Sequence, residues 1–113
     1  MYYGRRTIIR SDDLSDTQKL RKWVFSLTEH SMYGTIVSDL MSMPGFVHKL
    51  STVKETTAGQ IFINEVLFSS KDSADMYFSD EGIQALWEYV KIAAEAEGFI
   101  FVDDYRVELD SIV

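Results

Sequence analysis

Read for the alternation of apolar and polar positions, the chain divides into a short series of predicted elements. "YYGRRTIIR" (Tyr2 to Arg10) is rich in aromatic and β-branched residues and stops at "SDD", whose side chains favour turns and caps, so it reads as strand one. Leu20, Trp23, Val24 and Leu27 then recur at i, i+3, i+4 and i+7, the apolar stripe of a helix, with Ser15 and Gln18 at capping-box spacing ahead of it. A competing reading makes "KWVFSLT" (residues 22–28) the first strand, because Val24 and Phe25 are adjacent and apolar, and leaves residues 1–20 as an arm. Ile36, Val37, Leu40 and Met41 repeat the helical spacing beyond a kink predicted at Gly34, and Pro44 and Gly45 end the segment.

"FVHKLSTVK" follows as strand two, "ETTAG" as a connection and "QIFINEVLFSS" as strand three, an antiparallel hairpin. "SSKDS" offers capping side chains to a helix that begins at "ADMYF" and is re-capped at Ser79, with Ile83, Leu86, Trp87, Val90 and Ala94 as its buried stripe. Gly98 closes it. "FIFVDDYRVEL" is strand four, with Phe99, Phe101, Tyr105, Val107 and Leu109 expected on one side. The order β-α-β-β-α-β predicts an α+β, ferredoxin-like fold over residues 1–113, a single domain whose four-stranded antiparallel sheet has helices on one face.

Strand three makes that architecture incomplete. Phe62, Val66 and Phe68 point one way, while Ile61, Ile63 and Leu67 point the other. Two helices cover one face, so the second face exposes apolar groups that a second copy of the chain would bury, over about 1,200–2,000 Å² in total. The expectation is a homodimer through the sheet faces.

Composition narrows the partners. Eleven Lys and Arg against eighteen Asp and Glu leave a formal charge of −7, which repels nucleic acid phosphates and anionic lipid. The chain has no cysteine, which excludes disulfides, thiolate catalysis and Cys-built zinc sites, and makes a cytoplasmic location the default expectation. No stretch reads as an apolar leader region or a membrane span.

"MSMPGF", the hairpin "FVHKLSTVKETTAGQIFINEVLFSS" and "SKDSADMYFSDEGIQALWEYV" together resemble the dimeric α/β-barrel superfamily, within it the antibiotic-biosynthesis monooxygenase-like domains and their relatives. The likeness runs from about Ile36 to Leu109; the first 35 residues fit less well, because strand one lies farther from Pro44 than is usual. The resemblance implies a ferredoxin-like dimer with an apolar cavity for a small apolar or aromatic ligand. If the protein is an oxygenase, it implies no metal or flavin: a base deprotonates an electron-rich phenol, which itself activates oxygen. A haem-degrading role is not implied, since residues 71–97 contain no histidine.

The candidate polar groups are few. His48, one of two histidines, is a potential general base at a cavity mouth or a solvated edge-strand side chain. His30 reads as a capping or solvated residue. Asn64 and Glu65 break the apolar run of strand three, and neighbours on a strand face opposite ways, so one must face the helices and the other the dimer side. Arg5 or Arg6, or Tyr105 and Arg106, are available to pair with Glu65, as an ion pair or as anchors of a ligand cavity. His48, Glu65 and Tyr105 are thus the candidate catalytic groups, and Arg6, Asn64 and Trp87 the candidate ligand-binding ones. Tyr77, Phe78, Trp87 and Tyr89 read as pocket aromatics or as core. No metal-ligating spacing and no phosphate-binding loop is present. Two functional readings stay open: an enzyme-like small-molecule protein, or a non-catalytic dimer that serves as an assembly or ligand-sensing module.

Overall fold

The computed structural model describes residues 1–29 and 31–110, with the backbone alone at positions 28, 31–33, 35 and 36. His30 lies outside the described residues. The element order is β1 (Tyr2–Ser11), α1 (Lys19–Thr28), α2 (Ser31–Met41), β2 (Phe46–Thr56), β3 (Gly59–Phe68), α3 (Lys71–Ser79), α4 (Glu81–Ala96) and β4 (Ile100–Leu109). The strands form one antiparallel sheet in the order β2-β3-β1-β4, the ferredoxin-like arrangement. Strand one is therefore Tyr2–Ser11, and residues 22–28 are helical, which removes the competing reading.

The helices pack on one face of the sheet in two apolar clusters. Ile9, Phe62 and Phe99 meet Leu20 of α1 and Leu86, Val90 and Ala94 of α4 in the first, where Trp23 packs edge-on against Phe99 at 5.2 Å. Val66 and Phe68 meet Leu40 of α2, Ala74 and Tyr77 of α3 and Ile83 of α4 in the second. Trp87 touches both. The division explains where the first helical segment bends. The break falls between Thr28 and Ser31 rather than at the predicted Gly34, which sits inside α2, because the chain there passes from one cluster to the other.

The caps also differ from those predicted. Ser15 bonds back to Asp13 and leaves α1 without a side-chain cap at Gln18. Helix α4 is capped by Asp80, whose Oδ1 accepts from the Ile83 amide at 2.9 Å, and not by Ser79, whose hydroxyl donates to the Asp75 carbonyl. Asp80 is in extended conformation, as an N-cap requires, whereas Ser79 is still in α3. Ser70 caps α3 through the Ser73 amide. Gly45 takes φ +78 at the turn after Pro44, the left-handed conformation predicted for that exit.

Two β-bulges set which side chains face the helices. Phe46 pairs with Phe68, but His48, not Val47, pairs with Leu67, so Val47 is the extra residue. On β4, Phe101 pairs with Ile9 and Asp103 with Ile8, which makes Val102 extra. The second bulge corrects the expected face of β4: Phe101 joins the helix-side core, while Tyr105, Val107 and Leu109 stand on the opposite face. That face also carries Arg6, Ile8, Ile61, Ile63, Glu65 and Leu67, and no described helix covers it.

Packing at two glycines generates a paired test. A Cβ at Gly4 would sit 1.8 Å from the Val66 carbonyl oxygen, inside the β1–β3 ladder, whereas one at Gly34 meets nothing within 4 Å. Gly4→Ala is expected to lower unfolding free energy by about 3 kcal/mol. Gly34→Ala should raise it by up to about 1 kcal/mol, as alanine replaces glycine inside a helix. Urea denaturation followed by circular dichroism reads both; equal effects would contradict the packing described.

Candidate functional site

Between the sheet and the helices, the two apolar clusters leave a gap. Phe62 and Val66 of β3 form its floor; Leu40, Ile83, Leu86 and Trp87 form much of its helical wall. The cavity offers about 80 Å³ in which the centre of a water molecule can move. Its lining is almost wholly apolar, with polar groups concentrated where β2 meets β3.

Those polar groups form a chain. Lys49 Nζ donates to Ser51 Oγ at 2.8 Å, and Ser51 Oγ donates to Asn64 Oδ1 at 2.8 Å. Asn64 is buried at 5% exposure. Its Oδ1 accepts from Ser51, which fixes the amide where β2 meets β3. At the other end, Trp87 Nε1 donates to the hydroxyl of Tyr77 at 3.2 Å, and Arg5, ion-paired with Asp104, stacks over the Trp87 ring. Burial pushes the Tyr77 phenol up from its ordinary range, which keeps it neutral at physiological pH.

The six candidate site residues divide between the two faces of the sheet. Asn64 and Trp87 line the cavity. Arg6, Glu65 and Tyr105 form a cluster on the opposite face: Arg6 Nε donates to Glu65 Oε2 at 2.7 Å, Arg6 Nη1 donates to the Tyr105 hydroxyl at 3.1 Å, and the guanidinium lies over the Tyr105 ring at 5.8 Å. His48 is half-buried on β2 and follows the Val47 bulge onto that same face. Of the six, the sheet–helix cavity thus brings together Asn64 and Trp87, whereas His48, Glu65, Tyr105 and Arg6 lie on the other face of the sheet. The pairing foreseen for Glu65 is present through Arg6, which also donates to Tyr105, while Arg106 turns instead to Asp75 at 3.0 Å. Adjacent Asp103 and Asp104 diverge, Asp104 accepting from Arg5 and Thr7 on the helix side.

Lys49, Ser51 and Tyr77 complete the cavity. Tyr77 is legible from its place among the aromatics of the second helical segment. Lys49 and Ser51 are not, because an uninterrupted strand from Phe46 would turn His48 toward the helices and Lys49 away. Among the described residues, no three His, Asp or Glu side chains gather where a metal ion could be held, and no helix is long and apolar enough to cross a membrane.

The fold places the chain among known architectures. Over 100% of its length it is similar to a protein from Deinococcus radiodurans assigned by its name to the antibiotic biosynthesis monooxygenases, with a TM-score of 0.57, 11% sequence identity and 96% of that chain covered. A Bacillus cereus protein of the same designation gives a TM-score of 0.57 at 15% identity, covering 99% of this chain and 95% of that one. No protein-family model and no curated protein sequence matches. At these identities the likeness is one of fold alone, a ferredoxin-like α+β chain.

The buried phenol gives a pH dependence with a definite sign. Its folded pKa lies above the unfolded value of about 10, so the native state holds that proton more tightly. The associated stability is complete below pH about 10 and is lost as pH rises through the folded value. Tyr77→Phe should remove this part of the alkaline decline. At neutral pH it should cost about 1 kcal/mol, because the Trp87 N–H loses its acceptor. Urea midpoints between pH 8 and 11 compare the two; an unchanged alkaline slope would contradict the assignment.

Proposed function

We propose that the chain is a small-molecule-binding protein of the monooxygenase-like kind, working as a homodimer in the cytoplasm, with its ligand in the cavity between sheet and helices. The observation that carries the reading is the cavity itself. Ligand sites are concave, mostly apolar and marked by a few fixed polar groups, and here Lys49, Ser51 and Asn64 are linked in such a group at one end. The fold shared with the two monooxygenase-designated proteins supports the same reading. Natively purified protein, analysed by native mass spectrometry, should carry an added small-molecule mass that is released on denaturation. A cavity that stays empty and takes up no apolar compound from a panel would overturn the reading.

Dimerisation is supported by the uncovered side of the sheet. Ile8, Ile61 and Ile63 are only half-buried there, Leu50 is exposed, and Arg6 and Glu65 are paired with each other, so an apolar patch lies beside an ion pair that is already made. Sedimentation at micromolar concentration should give twice the 13.0 kDa of the chain. Ile63→Lys should shift it to the single subunit. A wild-type monomer would sink the dimer.

Ligand sensing or carriage is favoured over oxidation by the cavity wall, whose described residues include no histidine and no carboxylate to take a phenol's proton. In the oxygenase reading, which needs neither metal nor flavin, Lys49 is the titratable group best placed to hold the resulting phenolate. The catalytic roles considered for His48, Glu65 and Tyr105 would act from the other side of the sheet, at the proposed interface.

A further inference from the structure

Trp87 stands between two different spaces. On one side is the apolar cavity; on the other a polar groove, open to solvent, runs between α4 and β4 and leaves about 540 Å³ to the centre of a water molecule. Among the described residues, Trp87 is the one that lines both. The indole is clasped from its two sides. Its Nε1 donates to the Tyr77 hydroxyl at 3.2 Å, and Tyr77 lines the cavity but not the groove. The Arg5 guanidinium lies over the ring, 5.3 Å from its centroid, and Arg5 lines the groove but not the cavity. Asp104 accepts from both Nε and Nη2 of Arg5, which fixes the guanidinium in turn.

An ion pair is an unusual backing for the wall of an apolar space. On this face of the sheet an aliphatic pair would serve stability as well or better, because half-buried charges give up hydration in order to meet. What the pair provides is a hold that water can replace. Arg5 and Asp104, 15% and 26% exposed, regain solvent when they part beside an open groove, whereas Phe62 and Leu86, packed in the core, have no such exchange.

We propose that Trp87 is the door of the cavity and the Arg5–Asp104 pair its bolt: small neutral apolar compounds pass between groove and cavity when Arg5 lifts from the ring and the indole swings toward the groove. The proposal rests on the cavity being a ligand site, as inferred above, and adds the route by which it fills. Arg5 and Asp104 are positioning residues, which act through Trp87 and touch no ligand in the cavity. A bolt has a kinetic signature. It holds the closed form equally with and without ligand, so weakening it speeds entry and exit together and leaves affinity alone.

The test follows 1-naphthylamine, neutral at pH 7, by stopped-flow energy transfer from Trp87 in the full chain carrying Trp23→Phe, which leaves a single indole. Asp104→Asn removes the charge from the pair without altering the cavity lining. Association and dissociation rates should each rise at least about fivefold, the scale of one charge-assisted hydrogen bond lost from the closed form. Kd should stay within about twofold. Arg5→Lys, which keeps the charge but loses the planar two-point grip, should act in the same direction and decides the matter if Asp104→Asn does not fold. Unchanged rates would overturn the door and leave the cavity standing as a ligand site filled by another way. Affinity lost through dissociation alone would make the pair a support of the bound form, which also overturns the door. If the Trp23→Phe protein binds no 1-naphthylamine, the door and the ligand-site reading both fall.

Discussion

Strand β3 is paired on both edges and must be accommodated on both faces, and the rest of the molecule answers to that condition. β2 and β1 occupy its edges. Phe62, Val66 and Phe68 are met by the helices on one side, while Ile61, Ile63 and Leu67 look the other way. Its two consecutive polar residues carry that division into the chemistry. Asn64 becomes the amide at the end of the apolar cavity; Glu65, one residue on, becomes the carboxylate that fixes Arg6 on the far face. A charge left alone in so buried a strand would be costly, and Arg6, itself steadied by Tyr105, supplies what Glu65 needs.

The cavity follows from the same layering. Two short helices, α1 and α2, replace one long helix over the first half of the sheet, and each belongs to its own apolar cluster. The clusters share Trp87 but do not close over Phe62 and Val66, and the gap is the cavity. Side chains from both clusters wall it, so its shape depends on how α1 and α2 lie against α4. Ligand binding in this reading stabilises the packing of the helices as well as satisfying the polar groups of β2 and β3.

Single inserted residues have consequences out of proportion to their size. Val47 exchanges the faces of His48 and Lys49, placing a cation where a general base was expected. Val102 separates Phe101, in the helix-side core, from Tyr105 on the opposite side. Because side chains on a strand alternate strictly, one extra residue inverts everything that follows until another correction. The two bulges lie on the two edge strands, where a disturbed ladder interrupts pairing on one side only.

Much was readable from residue order because it depends on local periodicity. The 3.6-residue stripe of Leu20, Trp23, Val24 and Leu27, the Pro44-Gly45 stop, the hairpin and the two-faced pattern of "IFINEVLF" identify the strands and helices, and their order limits the fold to a ferredoxin-like sheet. Adjacent Asn64 and Glu65 had to take opposite faces for the same reason. The location of the site was not readable in this way. Whether His48 or Lys49 enters the cavity depends on an insertion relative to a partner strand, and no single strand records its register against another. The bend between α1 and α2 and the capping of α4 by Asp80 rather than Ser79 likewise depend on which cluster each segment packs against. Periodicity along the chain names the elements, and contacts between distant segments assign their side chains to a face, because facing is a relation between strands and not a property of one.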